Sequence, residues 1–177
     1  MISYFGKRAC AALIAVAIAA PAAQAESVLR YMGLSKLDMI DPIWTTNYSV
    51  RDHGYLIYDT LFAQDADGVV QPQMIDTWSV SDDQLTYTFT LRDGLMFHDG
   101  AAVTSDDVIA SLTRWMEKDT FGVEIKNRLA EMQAVDDTTF TIALNEPFGL
   151  LIEALGKTAS NVPFIMPARV ASASPQW

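Results

Sequence analysis

The chain has 177 residues, with 12 Lys and Arg against 22 Asp and Glu, which gives a formal net charge of −10. Hydrophobic residues make up 50% of the chain and aromatic residues 10%, so a chain that is disordered throughout is excluded. Such an acidic chain has no basic field to collect phosphates. We therefore expect no nucleic-acid partner and no anionic membrane surface as a partner.

Residues 1–25 have the pattern of an export signal. Lys7 and Arg8 precede a short apolar stretch at residues 9–20, and small residues end at Ala25, where cleavage is expected. The stretch is too short to span a bilayer comfortably, which argues against a retained membrane helix. Cys10 is the single cysteine of the chain and lies in this leader. The exported product would therefore have no disulfide, no cysteine nucleophile and no cysteine-ligated metal.

The first half of the exported part begins with short elements. Residues 27–32 alternate weakly and predict an opening strand. Asn47 is typical of a helix N-cap, and the apolar spacing that follows predicts a helix extending to Phe62. Residues 65–68 form a turn pattern, and residues 69–70 predict a brief strand ended by proline.

A β-hairpin is the clearest local signal in the chain. Residues 78–80 lead through two aspartates into residues 85–91, which alternate strictly between threonine and large apolar side chains. This alternation predicts a half-buried strand, because β-branched and aromatic residues fit a pleated surface. The side chains expected to face the core are Tyr87, Phe89 and Leu91.

Helices and strands mix in the second half. Thr104 is a predicted cap for a helix ending near Lys118, and a second helix is predicted over residues 123–132 after an interruption at Phe121-Gly122. Residues 138–144 alternate as a strand, and a helix is predicted from Pro147 to Gly156. This organisation predicts an α+β fold.

The sequence offers few groups for catalysis. His53 is interpreted as a helix-surface residue without metal partners, and we predict no metal site and no cofactor. His98 with Asp99 permits an alternative, a small exported hydrolase that uses these residues with a serine, although no Gly-x-Ser-x-Gly elbow is present. The leading expectation is that the chain is not an enzyme and has no catalytic residues.

A set of short motifs then occurs in a characteristic order. It consists of Tyr58-Asp59-Thr60-Leu61-Phe62, then Pro72 through Thr77-Trp78, then Tyr87 through Gly94, then Phe97-His98-Asp99-Gly100, and finally Val103-Thr104 and Asp106-Asp107-Val108 with Arg114. In this order the motifs resemble the extracytoplasmic solute-binding proteins of peptide, dipeptide and nickel ABC importers, which form family 5.

The resemblance implies an incomplete lobe I of a periplasmic-binding-protein type II-like fold. Residues 26–55 would open that lobe, residues 56–170 would form a small accessory subdomain, and residues 171–177 would be a truncated tail, because family members are several times longer. It implies a periplasmic substrate-binding component of an ABC importer for peptides or related small solutes, present as an N-terminal fragment that binds ligand weakly alone. Its partners would be the ligand and the ABC permease subunits. A stand-alone module closed by residues 157–177 is a further alternative.

The resemblance also implies ligand-contacting residues. The loop after the opening strand would line the cleft with Gly33, Ser35, Lys36 and Leu37, and its backbone could pair with an extended peptide. The loop after the capped helix would add Phe121 and Gly122. Two alternatives stay open: Phe121 as a core aromatic residue, and Lys36 as a solvated surface lysine.

Overall fold

The computed structural model describes residue 28 and residues 30–37 and 39–173. The chain divides into two compact units, Met1–Tyr31 and Met32–Trp177, and the predicted leader with its cleavage site lies outside the described residues. The predicted boundary between residues 55 and 56 falls inside the second unit and stays a prediction. No helix of the described part has the length and apolar character needed to cross a membrane.

The second unit mixes short helices with antiparallel strands. In chain order the elements are α1 (Tyr48–Tyr55), β1 (Asp59–Thr60), β2 (Phe62–Gln64), β3 (Val70–Pro72), β4 (Ile75–Val80), β5 (Thr86–Leu91), α2 (Ser105–Met116), α3 (Thr120–Arg128), β6 (Leu129–Ala134), β7 (Thr139–Leu144), α4 (Leu151–Leu155), β8 (Phe164–Ile165) and α5 (Ala168–Ala171). This composition confirms the expectation of a mixed helix and sheet fold.

The four-stranded sheet, in the order β4-β5-β7-β6, holds the core. All its pairings are antiparallel, and Phe89 of β5 lies opposite Phe140 of β7 with ring centroids 5.0 Å apart. Tyr87, Phe89 and Leu91 are buried as their alternation predicts. The apolar stripe of α2 packs into this core with Val108, Leu112, Trp115 and Met116.

The helix capped by Asn47 is shorter than predicted. The Asn47 side chain accepts from the Ser49 backbone N–H, which confirms the cap, but α1 ends at Tyr55 and not at Phe62. Beyond it the chain extends, because residues 59–60 pair with residues 164–165 as β1 and β8. Sequence periodicity does not reveal a partner that lies a hundred residues away.

The second predicted helix is also wrong in its bounds. Asp119 caps α3 by accepting from the backbone N–H groups of Phe121 and Gly122, so both residues lie in the first helical turn and not in a loop. The helix ends at Arg128, and residues 129–134 form β6 against β7 instead of continuing as helix.

The end and the start of the described chain also differ from expectation. The helix predicted from Pro147 is confined to α4, which begins at Leu151 and ends at Leu155, with Gly156 as its C-cap. Residues 161–166 are all buried, whereas residues 158–160, 169–170 and 172–173 are exposed, so the described part of the tail is packed only in its middle. Residues 28 and 30–32 form no strand, because no strand of the described part pairs with them; Ser27 and Leu29 lie outside it.

Candidate functional site

The segment of residues 33–37 is an exposed loop held from beneath by the start of α1. The Ser35 backbone N–H donates to Ser49 Oγ at 2.9 Å, and the Ser35 hydroxyl donates to Asn47 Oδ1 at 2.8 Å while lying 3.0 Å from Ser49 Oγ. Leu34 and Leu37 are 91% and 43% exposed. The loop therefore keeps a fixed backbone course while it presents apolar side chains to the outside.

Gly33 permits the close approach of this segment to α1. A Cβ atom at Gly33 would lie 2.8 Å from Ser49 Oγ and 3.1 Å from Ser49 Cβ, which is closer than side-chain atoms pack. Ser49 itself is buried and accepts the Ser35 N–H. A larger residue would push the loop off α1, so packing against Ser49 favours glycine at position 33.

Phe121 and Gly122 lie at the start of α3, beside a buried ion pair between Asp119 and Lys157. Phe121 is 40% exposed, so its interpretation as a core aromatic residue is wrong. The Lys157 ammonium lies 5.5 Å from the Phe121 ring centroid. Gly122 is buried, and a Cβ there would lie 2.8 Å from Met116 Cα.

The structure assigns the two groups of expected ligand residues to different elements. Ser35 is joined to α1, whereas Gly122 packs on α2, and none of the contacts just described joins one group to the other. Lys36 is exposed, as are Leu37 and Phe121. Exposure makes these side chains accessible to a ligand, but their role in binding stays a prediction.

The geometry around His98 lacks the parts that a hydrolase needs. The Asp99 carboxylate accepts from the Ala101 backbone N–H at 3.0 Å and from Arg169 at 2.7 Å, and these bonds, the backbone one first, hold its pKa below the usual value. It is therefore engaged away from His98. No serine is among the residues that line the two cavities beside His98. These two cavities therefore do not provide the serine that the hydrolase alternative requires beside His98 and Asp99.

A metal site would need several ligating side chains close together in the part of the chain that the structure describes. There, no three His, Cys, Asp or Glu side chains are grouped closely enough to hold an ion.

Sequence analysis missed a row of buried polar contacts along α2, formed by Asp107, Ser111, Arg114 and Trp115, which we call the α2 ladder. Asp107 Oδ1 accepts from the Ala168 N–H at 2.7 Å, and Ser111 Oγ accepts from the Met166 N–H at 2.9 Å. The Trp115 indole N–H donates to the carbonyl of Asn161 at 2.8 Å. The spacing of 107, 111 and 115 on one helix face was the available signal.

Arg114 extends the α2 ladder to the segment before α1. Its guanidinium forms an ion pair with Asp41 and donates to the Ala171 and Ala173 carbonyls at 3.1 and 2.6 Å. Only 7% of its side chain is exposed. A second tie comes from the Asn161 side-chain amide, which donates to the carbonyl of Ile43 at 2.6 Å. The ladder thus fixes residues 161–173 and residues 41–45 onto one helix.

Comparison with known proteins identifies this fold. The sequence model of a protein family, the bacterial extracellular solute-binding proteins, family 5 (middle region), matches residues 69–176. The chain belongs to this family of solute-binding proteins. A probable peptide ABC transporter periplasmic-binding protein of Sinorhizobium fredii is 43% identical over 144 residues, which cover 81% of this chain and 27% of the relative.

Two further relatives are also solute-binding proteins. The glutathione-binding protein GsiB of Salmonella typhi is 33% identical over 150 residues, covering 83% of this chain and 29% of that protein. The structure of the periplasmic binding protein AgaA of A. tumefaciens R10 in complex with agropinic acid superposes with a TM-score of 0.65 at 28% identity, covering 78% of this chain and 29% of AgaA. The chain thus spans less than a third of the length of these relatives.

Proposed function

We propose that this chain forms part of the periplasmic substrate-binding component of an ABC importer for peptides or related small solutes. The relatives named above support it, since they include a peptide-binding, a glutathione-binding and an agropinic acid-binding protein. The observation that carries the proposal is the exposed segment of residues 33–37, which three hydrogen-bond contacts hold on α1.

The segment suits a peptide-like ligand because residues 34–37 are exposed and the bonds of Ser35 to α1 fix its position. An extended peptide would pair with the backbone groups of this segment as an added strand does, and would pay little ordering entropy on the protein side. Leu34 and Leu37 would contact apolar parts of the ligand. The Lys36 ammonium would attract a ligand carboxylate at short range.

Phe121 and Gly122 form the second, more distant part of this proposal. The exposed Phe121 ring offers an apolar surface to a ligand, and the missing side chain of Gly122 lets α3 begin directly against Met116. These two residues lie on a different element from residues 33–37. They would therefore belong to the binding site only if one ligand contacts both groups.

The domain arrangement follows from the same proposal. Residues 26–55 would open lobe I of a type II periplasmic-binding-protein fold, and residues 56–170 would form the accessory subdomain. Residues 1–25 would direct export, with cleavage after Ala25 and release into the periplasm. The complete binding protein would then deliver ligand to the permease subunits.

Binding rather than catalysis is the proposed activity. Asp99 is engaged by Ala101 and Arg169, and the cavities beside His98 are lined by no serine. A nucleophile and a base must lie within hydrogen-bond reach to act together. The hydrolase alternative therefore has no geometric support.

Amide NMR spectra of the isotopically labelled chain, titrated with glutathione, test the proposal. We expect shifts at residues 33–37 and a Kd weaker than about 1 mM, because part of a cleft cannot clamp both ends of a ligand. Ser35→Ala should weaken binding about fivefold, the equivalent of about 1 kcal/mol for lost hydrogen bonds. Ser79→Ala, an exposed serine in β4, is the matched control and should bind as the unchanged chain does.

Two results would contradict this reasoning. Shifts that avoid residues 33–37 altogether would remove the segment from the binding site. A submillimolar Kd for the chain alone would refute the argument that part of a cleft binds weakly.

A further inference from the structure

Two cavities beside β1 share part of their lining, and we call the pair the Tyr58 groove. Their volumes are about 530 and 240 Å³, and they share the four lining residues Ile57, Tyr58, Phe97 and His98. The first extends to Asp59 and Gln73, and the second extends to Arg169. Residues 33–37 and residues 121–122 line neither cavity, so the groove is separate from the proposed cleft.

Aromatic rings make up one wall of the groove, and packing fixes their position. Tyr55 meets Phe164 edge-on with ring centroids 4.9 Å apart, and Tyr58 lies 6.0 Å from the same ring. Phe164 is fully buried, so it anchors both tyrosines from beneath. The exposed faces of such rings carry the negative side of the ring quadrupole, which attracts cations.

A carboxylate without a cationic partner lies beside these rings. Asp59 Oδ1 accepts from the Thr60 N–H at 2.8 Å, and Oδ2 is 3.5 Å from the Gln73 amide. Among the ion pairs formed by the described residues, none includes Asp59. By contrast Asp99, at the other end of the groove, is paired with Arg169. The Asp59 end therefore carries the uncompensated negative charge.

We infer that the Tyr58 groove binds a primary ammonium group carried on a small apolar or aromatic body, with Asp59 as its charge partner and Tyr55 and Tyr58 as its wall. The carboxylate would accept charge-assisted hydrogen bonds from the ammonium. The rings and the apolar lining would cover the body of the ligand. This site goes beyond the proposed transport function and uses none of its residues.

The test compares two probes of the same shape. The labelled full chain is titrated with 2-phenylethylammonium and with the neutral 2-phenylethanol near pH 7, and amide shifts are followed by NMR. We expect the ammonium to shift the amides of Asp59, Thr60, Gln73 and His98, and the alcohol to bind about fivefold more weakly or worse, as for loss of a partly exposed ion pair. Equal affinity for both probes would overturn the inference.

Variants at two exposed aspartates complete the experiment. Asp59→Asn keeps an acceptor for the Thr60 N–H and should lower the affinity for the ammonium about fivefold, whereas Asp82→Asn, outside the groove, should leave it unchanged. An unchanged affinity in Asp59→Asn would overturn the inference.

A salt titration of the unchanged chain tests the same point without relying on a folded variant. The affinity should fall severalfold as NaCl rises from about 20 to about 300 mM, and a salt-independent affinity would overturn the inference. These shifts fall at groove residues, so failure here is distinguishable from failure of the glutathione experiment at residues 33–37.

Discussion

Replacing Arg114 by methionine removes the centre of the α2 ladder while it keeps an apolar side chain of similar length. The guanidinium pairs with Asp41 and donates to the carbonyls of Ala171 and Ala173, and it lies 5.3 Å from the Trp44 ring centroid. The substitution would therefore leave one carboxylate and two carbonyl groups without their donor.

The expected cost follows from how deeply these groups are buried. Removing one partner of a buried ion pair costs about 3–5 kcal/mol, because the remaining charge is left uncompensated. The Asp41 side chain is 18% exposed, and its Oδ1 still accepts from the Ile43 N–H at 3.0 Å. We therefore expect Arg114→Met to lower the free energy of unfolding by about 3 kcal/mol, at the lower end of that range.

Urea unfolding followed by tryptophan fluorescence measures this loss. Asp41→Asn in the same background should recover part of it, with a coupling energy of about 1–3 kcal/mol in the double-mutant cycle. Arg169→Met is the matched control: its ion pair with Asp99 is 65% and 47% exposed, so its loss should cost at most about 1 kcal/mol. A cost for Arg114→Met no larger than that of the control would refute the reasoning, as would an additive cycle.

Two further predictions concern the sheet and its turns. Phe89→Ala should lower the free energy of unfolding, measured by urea unfolding, by about 3–5 kcal/mol, because the ring is fully buried against Phe140. A loss below about 1 kcal/mol would contradict this and would show that neighbouring side chains fill the space left by the ring. The backbone N–H groups of Thr138 and Thr139 hold the pKa of Asp136 below its usual 3.8. The ionised carboxylate therefore stabilises the fold above that value, and its contribution is lost as the pH falls through the lowered pKa. The difference in melting temperature between the unchanged chain and Asp136→Ala should shrink from about pH 5 to about pH 2, and a pH-independent difference would contradict this.

The local elements were predictable where a short-range pattern determines them. The alternation of residues 85–91 predicted a strand whose apolar face is buried, and the structure confirms both. The turn pattern at residues 65–68 is likewise confirmed, since Asp65 accepts from the Asp67 and Val69 N–H groups. In each case the interacting groups lie within a few residues of one another.

Elements that depend on distant partners were not predictable in the same way. Helix α1 ends where β1 begins to pair with β8, and residues 129–134 become a strand because β7 lies beside them. Periodicity of apolar residues cannot show which distant segment supplies the hydrogen bonds. For the same reason the α2 ladder was missed, since its partners lie more than forty residues away from α2 along the chain.

The candidate site was predicted only through the family resemblance. Residues 33–37 contain no pattern that marks them as a binding segment, and the contacts of Ser35 with Asn47 and Ser49 emerge only from the folded chain. Phe121 and Gly122 were expected to interrupt two helices, in a loop that the family resemblance implied, but they lie in the first turn of α3. The Asp119 cap was overlooked, although an aspartate before a helix is a recognised signal.

The pairing of β1 with β8 has a consequence for how the chain can be divided. Thr60 lies opposite Phe164, so residues 61–163 leave and return at neighbouring points. The exposed turns of such an excursion can change in length without separating the two strands from which it starts. Its α2 helix is different, because it is bonded to Asp41, Met166 and Ala168 outside the excursion, so a graft would have to carry those residues with it.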